Sequence, residues 1–275
     1  MREVAFIKMH GIGNDYVFID CFPSETAAVI ANTDLSDLAQ RVSDRHFGIG
    51  SDGLVLILPD EEVDARMRMF NADGSEAQMC GNAIRCIGKY LYESGLCRKP
   101  SLRIATQAGV RELEVQVANG EAVSVTVNMG KPSVLDDSLT IDGEMWPFVS
   151  VNMGNPHAVF FRDCLPSPDE LAVIGERIGT HPHFPEGTNV EFAHVRNNKE
   201  IDLRVWERGT GETMACGTGA CATAVAAIRH GLTQREVTIH LRGGDLLIAW
   251  KADNKPIFMT GSATEGFRGK LRVER

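Results

Sequence analysis

Short runs of apolar or alternating residues, the pattern of strands, occupy residues 5–9, 16–20, 54–58 and 66–70. Between and after them, residues 35–46 and 83–93 carry apolar positions at helical spacing, and Asp34 stands where a helix cap is expected. The mixture then recurs in the same order. Strand-like runs at 148–152, 158–161, 190–195 and 203–207 are interleaved with helical patterns at 170–178 and 220–230.

Local sequence repeats along with the elements. Gly13-Asn14-Asp15-Tyr16-Val17 lines up with Gly154-Asn155-Pro156-His157-Ala158 (155 − 14 = 141), and Gly50-Ser51-Asp52 with Gly187-Thr188-Asn189 (189 − 52 = 137). Met79-Cys80-Gly81-Asn82-Ala83 falls on Ala215-Cys216-Gly217-Thr218-Gly219 and Glu76 on Glu212, both 136 residues apart (216 − 80; 212 − 76). Gln107-Ala108-Gly109 lies over Arg242-Gly243-Gly244 (242 − 107 = 135). Offsets that drift slowly and in order are the trace of an internal duplication. Two such halves place equivalent residues across an interdomain cleft, where a small-molecule site is expected.

Composition narrows the function classes. The 275 residues are 43% hydrophobic and 24% charged with a formal net charge of −9, so a large core is available and no cationic field for nucleic acid exists. Neither a secretion signal nor an uninterrupted apolar stretch of membrane-spanning length is present, which predicts a cytoplasmic protein with no membrane partner. Seven cysteines, odd in number and without C-x-x-C spacing, argue against a disulfide framework and against a structural zinc. Cys86 and Cys221 read as core residues inside helices.

Cys80 and Cys216 are different. Each lies between a glycine-rich acidic loop and a predicted helix, so each is expected at a helix N-terminus, where unpaired N–H groups and the helix dipole favour anions and lower a thiol's pKa. The same N–H groups suit a substrate carboxylate. Two equivalent thiols facing one carbon fit a reaction that takes a proton from one face and returns one to the other, the pair holding a single proton between them. No lysine stands in a Schiff-base context with a phosphate cradle, and Gly11-Ile12-Gly13 lacks the rest of a dinucleotide fingerprint, so no cofactor is expected.

These residues, with His10-Gly11-Ile12-Gly13-Asn14-Asp15-Tyr16, Phe70-Asn71-Ala72-Asp73-Gly74-Ser75, Gly154-Asn155-Pro156-His157 and Glu207-Arg208-Gly209-Thr210-Gly211-Glu212-Thr213, resemble the diaminopimelate epimerase family over nearly the whole chain. The resemblance implies a mixed α/β fold of two pseudo-symmetric domains, each a curved sheet wrapped around a central helix: residues 1–123 with 264–275, and residues 124–263. It implies interconversion of LL- and meso-2,6-diaminopimelate without cofactor or metal, on the route to lysine and peptidoglycan, by a homodimer. Carried over residue by residue, Cys80 and Cys216 are the acid and base. Gly81, Asn82, Gly217 and Thr218 hold the reacting carboxylate, and Asn14, Asn71, Asn155, Asn189, Glu207 and Arg208 bind the rest of the substrate. His157 and Glu207 tune the thiols, and Phe267 is a dimer contact. Two departures stand out: Gly53 where some members carry glutamine, and Thr218 where serine is frequent.

Three rivals remain open at this stage. A proline racemase or hydroxyproline epimerase shares the two-thiol mechanism but has no use for Arg208 and the asparagines. A phenazine-biosynthesis isomerase relative shares the fold without the paired cysteines. A redox sensor or zinc module predicts bound metal or a stable cysteine pair.

Overall fold

The computed structural model describes residues 2–273. They fall into two compact units, one containing the residues up to Val127 together with those from Gly261 onward, the other Asn128–Thr260. The chain begins with β1 (Arg2–Gly11), β2 (Asn14–Asp20), α1 (Ser24–Ile30), α2 (Leu35–Ser43), β3 (Gly53–Leu58), β4 (Ala65–Asn71) and β5 (Glu76–Ala77). There follow α3 (Gly81–Glu93), β6 (Ser101–Thr106), β7 (Gly109–Ala118) and β8 (Glu121–Gly130). The second series is β9 (Ser133–Ile141), β10 (Glu144–Asn152), β11 (Pro156–Phe161), α4 (Pro168–Gly179), β12 (Asn189–Asn197), β13 (Glu200–Glu207) and β14 (Gly211–Glu212). It ends with α5 (Gly217–Arg229), β15 (Glu236–Leu241), β16 (Gly244–Ala249) and β17 (Ile257–Gly261), after which β18 (Thr264–Val273) returns to the first unit.

Strand pairing makes the duplication explicit. In the first unit β18, β1 and β2 run antiparallel in succession, β2 and β3 parallel, β3 and β4 antiparallel, β4 and β6 parallel, then β6, β7 and β8 antiparallel. In the second unit β9, β10, β11, β12, β13, β15, β16 and β17 repeat those senses one for one. Side chains repeat too. Arg68 donates to Glu76 at 2.7 Å, and 136 residues later (204 − 68) Arg204 donates to Glu212 at 2.9 Å. The pairing corrects one sequence match, because Val17 stands beside Leu54 as Ala158 does beside Val190, an offset of 136 (190 − 54) on β3 and β12. Asn189 therefore corresponds to Gly53, not Asp52. A Cβ at Gly53 would lie 2.1 Å from the Phe70 carbonyl oxygen, so no side chain fits there without movement of the backbone.

Each unit packs a helix that is apolar on most sides against its own strands. α5 (Gly-Thr-Gly-Ala-Cys-Ala-Thr-Ala-Val-Ala-Ala-Ile-Arg) buries every residue from Gly219 to Ile228, its small side chains letting β10, β11, β12 and β16 approach. α3 buries Gly81 to Gly88 without interruption and packs on β1, β2 and β7. Cys86 and Cys221 lie inside these helices, fully buried. On the other sheet face α2 presents Leu38 and Val42 to Val17, Ile19, Leu54 and Leu56; burying a side chain the size of Leu38 contributes about 2 kcal/mol. Asp34 caps α2 through the amides of Ser36 and Asp37. The helix stops at Ser43 rather than His46, because Asp44 turns its carboxylate onto the amides of His46 and Phe47. Among the described residues no helix is long and apolar enough to cross a membrane.

Candidate active site

Both cysteines sit at the N-cap of a helix with extended backbone: Cys80 (φ −130°, ψ 125°) before α3 and Cys216 (φ −112°, ψ 109°) before α5. The equivalence predicted from sequence therefore holds at the level of backbone conformation. Gly81 and Asn82 open α3, Gly217 and Thr218 open α5, and their amides belong to the first turn, whose N–H groups have no intrahelical acceptor. Such a turn suits a carboxylate.

In the first unit the cysteine meets groups from β2. The Tyr16 hydroxyl donates to Cys80 Sγ at 3.6 Å, and the thiol donates to Asn14 Oδ1 at 3.5 Å. Asn14 is fixed from behind: its Nδ2 donates to Asp52 at 2.7 Å, which turns Oδ1 toward Cys80 and toward Asn82 Nδ2 at 3.0 Å. Asp52 in turn receives Arg45 at 2.7 Å. Burial raises the Asp52 carboxyl, with the neighbouring Asp15 charge adding to it. Burial alone would raise Asp15 as well, but the Arg45 and Lys8 cations hold it below its ordinary value. Fully buried Arg85, one turn into α3, donates to the Gly81 carbonyl at 3.2 Å and to the Ser262 carbonyl at 3.3 Å, tying the helix start to the returning chain. Asn71 is exposed and donates to Ser75 Oγ at 3.0 Å.

In the second unit the surroundings carry charge. Cys216 Sγ accepts from the Gly219 amide at 3.4 Å and lies 3.6 Å from Thr218 Oγ1. Glu207, at the end of β13, is bonded by the Thr213 hydroxyl. Burial raises the Glu207 carboxyl, and its bonds from Thr213 and Cys216 oppose that. His157 and Glu191, both fully buried, meet at 2.7 Å through Nδ1 and Oε1. Asn155 Oδ1 lies 3.1 Å from His157 Nε2, and Asn155 Nδ2 donates to Thr218 at 3.4 Å. Asn189 is buried, donating to the Pro156 carbonyl at 2.9 Å and accepting from the Arg208 amide at 3.0 Å.

The expectation of a lowered thiol pKa is overturned at Cys216. Burial, then the Glu207 and Glu191 carboxylates, push this thiol well above its ordinary value. Magnitudes explain the outcome: a helix terminus offers an anion about 1 kcal/mol, whereas full burial shifts a titration by up to about 3–5 pH units. Arg208 stands apart from the buried groups around Cys216. It is exposed, donates to the Glu186 carbonyl at 2.9 Å, and lines a cavity of about 350 Å³ with Phe184, Gly187 and Trp206. Phe267 is 51% exposed and packs edge-on against Phe6 with ring centroids 6.0 Å apart. Among the described residues no three His, Cys, Asp or Glu side chains gather as a metal-binding group.

Sequence reasoning passed over Tyr16, Asp52, Arg85 and Glu191. Tyr16 and Asp52 lay inside matched motifs without an assigned role. Glu191 had a signal of its own, a lone acid within the apolar run Val190-Glu191-Phe192-Ala193.

Comparison with known proteins gives the family. The sequence profile of the family described as "Diaminopimelate epimerase" matches residues 6–135 and 149–265. The chain is 46% identical to a protein named diaminopimelate epimerase from Acetivibrio thermocellus, covering 98% of each. Among solved structures, a PhzF-family phenazine biosynthesis protein from Bacillus anthracis superposes with a TM-score of 0.75 at 16% identity, over 99% of this chain and 100% of that one. A hydroxyproline epimerase from Agrobacterium vitis gives 0.70 at 17% identity, over 98% and 92%. Likeness at that identity is likeness of fold.

Proposed function

The chain belongs to the diaminopimelate epimerase family, and from that premise we propose that it interconverts LL- and meso-2,6-diaminopimelate by passing the α-proton between Cys80 and Cys216. One sulfur, as thiolate, takes the α-hydrogen as a proton, and the electron pair of the broken C–H bond spreads into the α-carboxylate. The other, as thiol, returns a proton to the opposite face, so that the two sulfurs exchange states in each turnover. First-turn amides at Gly81, Asn82, Gly217 and Thr218 stabilise the charge that grows on the carboxylate. Asn14, Asn71, Asn155, Asn189, Glu207 and Arg208 hold the remainder of the substrate, Arg208 through its planar fork to the distal carboxylate. His157 and Glu207 tune the thiols.

The observation that carries this reading is the placement of a cysteine at the same N-cap in two copies of one fold. Neither cofactor nor metal enters the scheme. The setting proposed is a cytoplasmic homodimer contacting through Phe267, supplying lysine and peptidoglycan synthesis, with no nucleic-acid or membrane partner.

The test is incubation with LL-diaminopimelate in deuterated water with a chelator present, with trans-4-hydroxyproline as a parallel substrate. Early in the reaction deuterium should enter the inverted product and not the recovered substrate. Label appearing equally in both would indicate a single base, and turnover of hydroxyproline alone would move the chain to a different substrate class.

A further inference from the structure

The thiol reading leaves Glu191 without a role, although a carboxyl group inside the protein needs one. Its side chain is fully buried, Oε1 meets His157 Nδ1 at 2.7 Å, and Oε2 is buried with no hydrogen-bond partner. An ionised carboxylate so placed is costly unless a proton or a cation compensates it. The same Oε1 would lie 2.7 Å from a Cβ on Gly219, the residue whose amide donates to Cys216 Sγ. Any side chain there would require Glu191 to shift. At the matching places in the first unit, 136 residues earlier on β3 and α3 (191 − 55; 219 − 83), stand Val55 and Ala83, and Tyr16 stands for His157 (157 − 16 = 141). Acid, histidine and glycine thus occur together in the second unit and are all replaced in the first.

The hydrogen bonds fix a direction. Asn155 Nδ2 donates to Thr218 Oγ1, so Asn155 Oδ1 faces His157 as an acceptor and Nε2 carries a hydrogen. Nδ1 and Glu191 Oε1 then share one proton, either as imidazolium and carboxylate or as neutral ring and acid. Thr218 Oγ1, already accepting from Asn155, has its own hydrogen to direct at Cys216 Sγ, 3.6 Å away. We infer that Glu191 is a positioning residue, which through His157, Asn155 and Thr218 aims a hydroxyl at the Cys216 sulfur and sets how readily that thiol ionises. The titratable groups facing Cys216 are Glu207 from β13 and Glu191 from β12, and His157 from β11 meets Glu191 behind them. Of these, Glu207 and then Glu191 oppose thiolate formation by their charge. The inference rests on the reading of Cys216 as one of the two proton carriers.

Glu191→Gln keeps size and shape and removes the acid. Because the Thr218 hydroxyl stabilises the thiolate, the rate of Cys216 alkylation by iodoacetamide, followed by peptide mapping against pH, should reach its midpoint about one pH unit higher in the variant, with the Cys80 profile unmoved. A Cys216 midpoint that stays in place in folded variant, or falls as loss of a carboxylate charge alone would make it, overturns the inference. Should the variant not fold, ¹⁵N spectra of histidine-labelled wild-type enzyme decide: the relay requires His157 protonated at Nε2, and a bare Nε2 refutes it. Alkylation reports the thiol without turnover. If the deuterium experiment fails while the Cys216 midpoint rises, the relay stands and the reaction assigned to it falls.

Discussion

Cys80 meets a tyrosine hydroxyl and an asparagine oxygen, both neutral, whereas Cys216 sits among Glu207, Glu191 and His157. The frames around them are copies: the same strand senses, the same N-cap, the same Arg–Glu pair beside the loop. What differs is the set of side chains the copies hold out. Asn71 corresponds to Glu207 (207 − 71 = 136), Ala72 to Arg208 and Arg85 to Cys221. One half carries the buried cation Arg85 behind its cysteine and the other the buried acid Glu191. A duplication supplies two cysteines at equivalent N-caps, and divergence of the lining gives them unlike surroundings. The substrate has unequal faces as well, since the α-carbon is attached to a chain ending in a second amino-acid group.

The strongest way to break the comparison is to remove each sulfur in turn. Cys80→Ala and Cys216→Ala should each lower kcat by about 10³-fold, the scale of losing a general acid or base. Near wild-type turnover in either variant would mean that its half contributes the fold and not the chemistry.

Arg208 sharpens the comparison, because its counterpart in the first half is Ala72 and recognition of the distal carboxylate would come from one half only. Arg208→Met should lower kcat/KM by about thirtyfold, the loss of a charge-assisted pair, chiefly through KM. A guanidinium that stays on the Glu186 carbonyl in the presence of substrate would leave kcat/KM unchanged and assign Arg208 to the surface.

How much of this was legible in the sequence follows from where the signals arise. The early strands of each half are buried on both faces and read as apolar runs; Val17, Phe18 and Ile19 are all buried. The later hairpins had no such signature, because β7 alternates buried Leu113 and Val115 with exposed charges and its Val117 is 39% exposed. α1 was not foreseen: it has seven residues, Pro23 in place of a capping side chain, and Ile30 as its one buried residue. At the site, the helix-terminal cysteines were legible because glycine and small residues mark a turn into a helix. Their electrostatics were not, since burial and neighbouring carboxylates come from β12 and β13, elements distant in sequence. A local argument weighed the helix dipole and had no means of weighing desolvation, which is the larger effect at Cys216.

The smallest expected effect lies on the neutral side. Tyr16 is buried, its ring edge-on to Phe18 at 6.3 Å, and its hydroxyl donates to Cys80 Sγ. Burial, then the charge of the neighbouring Cys80, raise the phenol's pKa well above its ordinary value, so it remains a donor throughout the working pH range. A hydroxyl that always donates stabilises the sulfur more as thiolate than as thiol. Tyr16→Phe removes that bond and keeps the ring packing, so the cost is one hydrogen bond to a charged acceptor over a long O···S distance, about 1 kcal/mol or roughly fivefold. Alkylation of Cys80 at fixed pH should slow by about that factor, and kcat/KM should fall with it in the direction where Cys80 is the base. Cys216 alkylation should not change, because its hydrogen-bond partners are Gly219 and Thr218 and its charged neighbours belong to β12 and β13. Equal slowing at both sulfurs would show that the two linings act as one electrostatic environment, and the contrast between the halves would be one of shape alone.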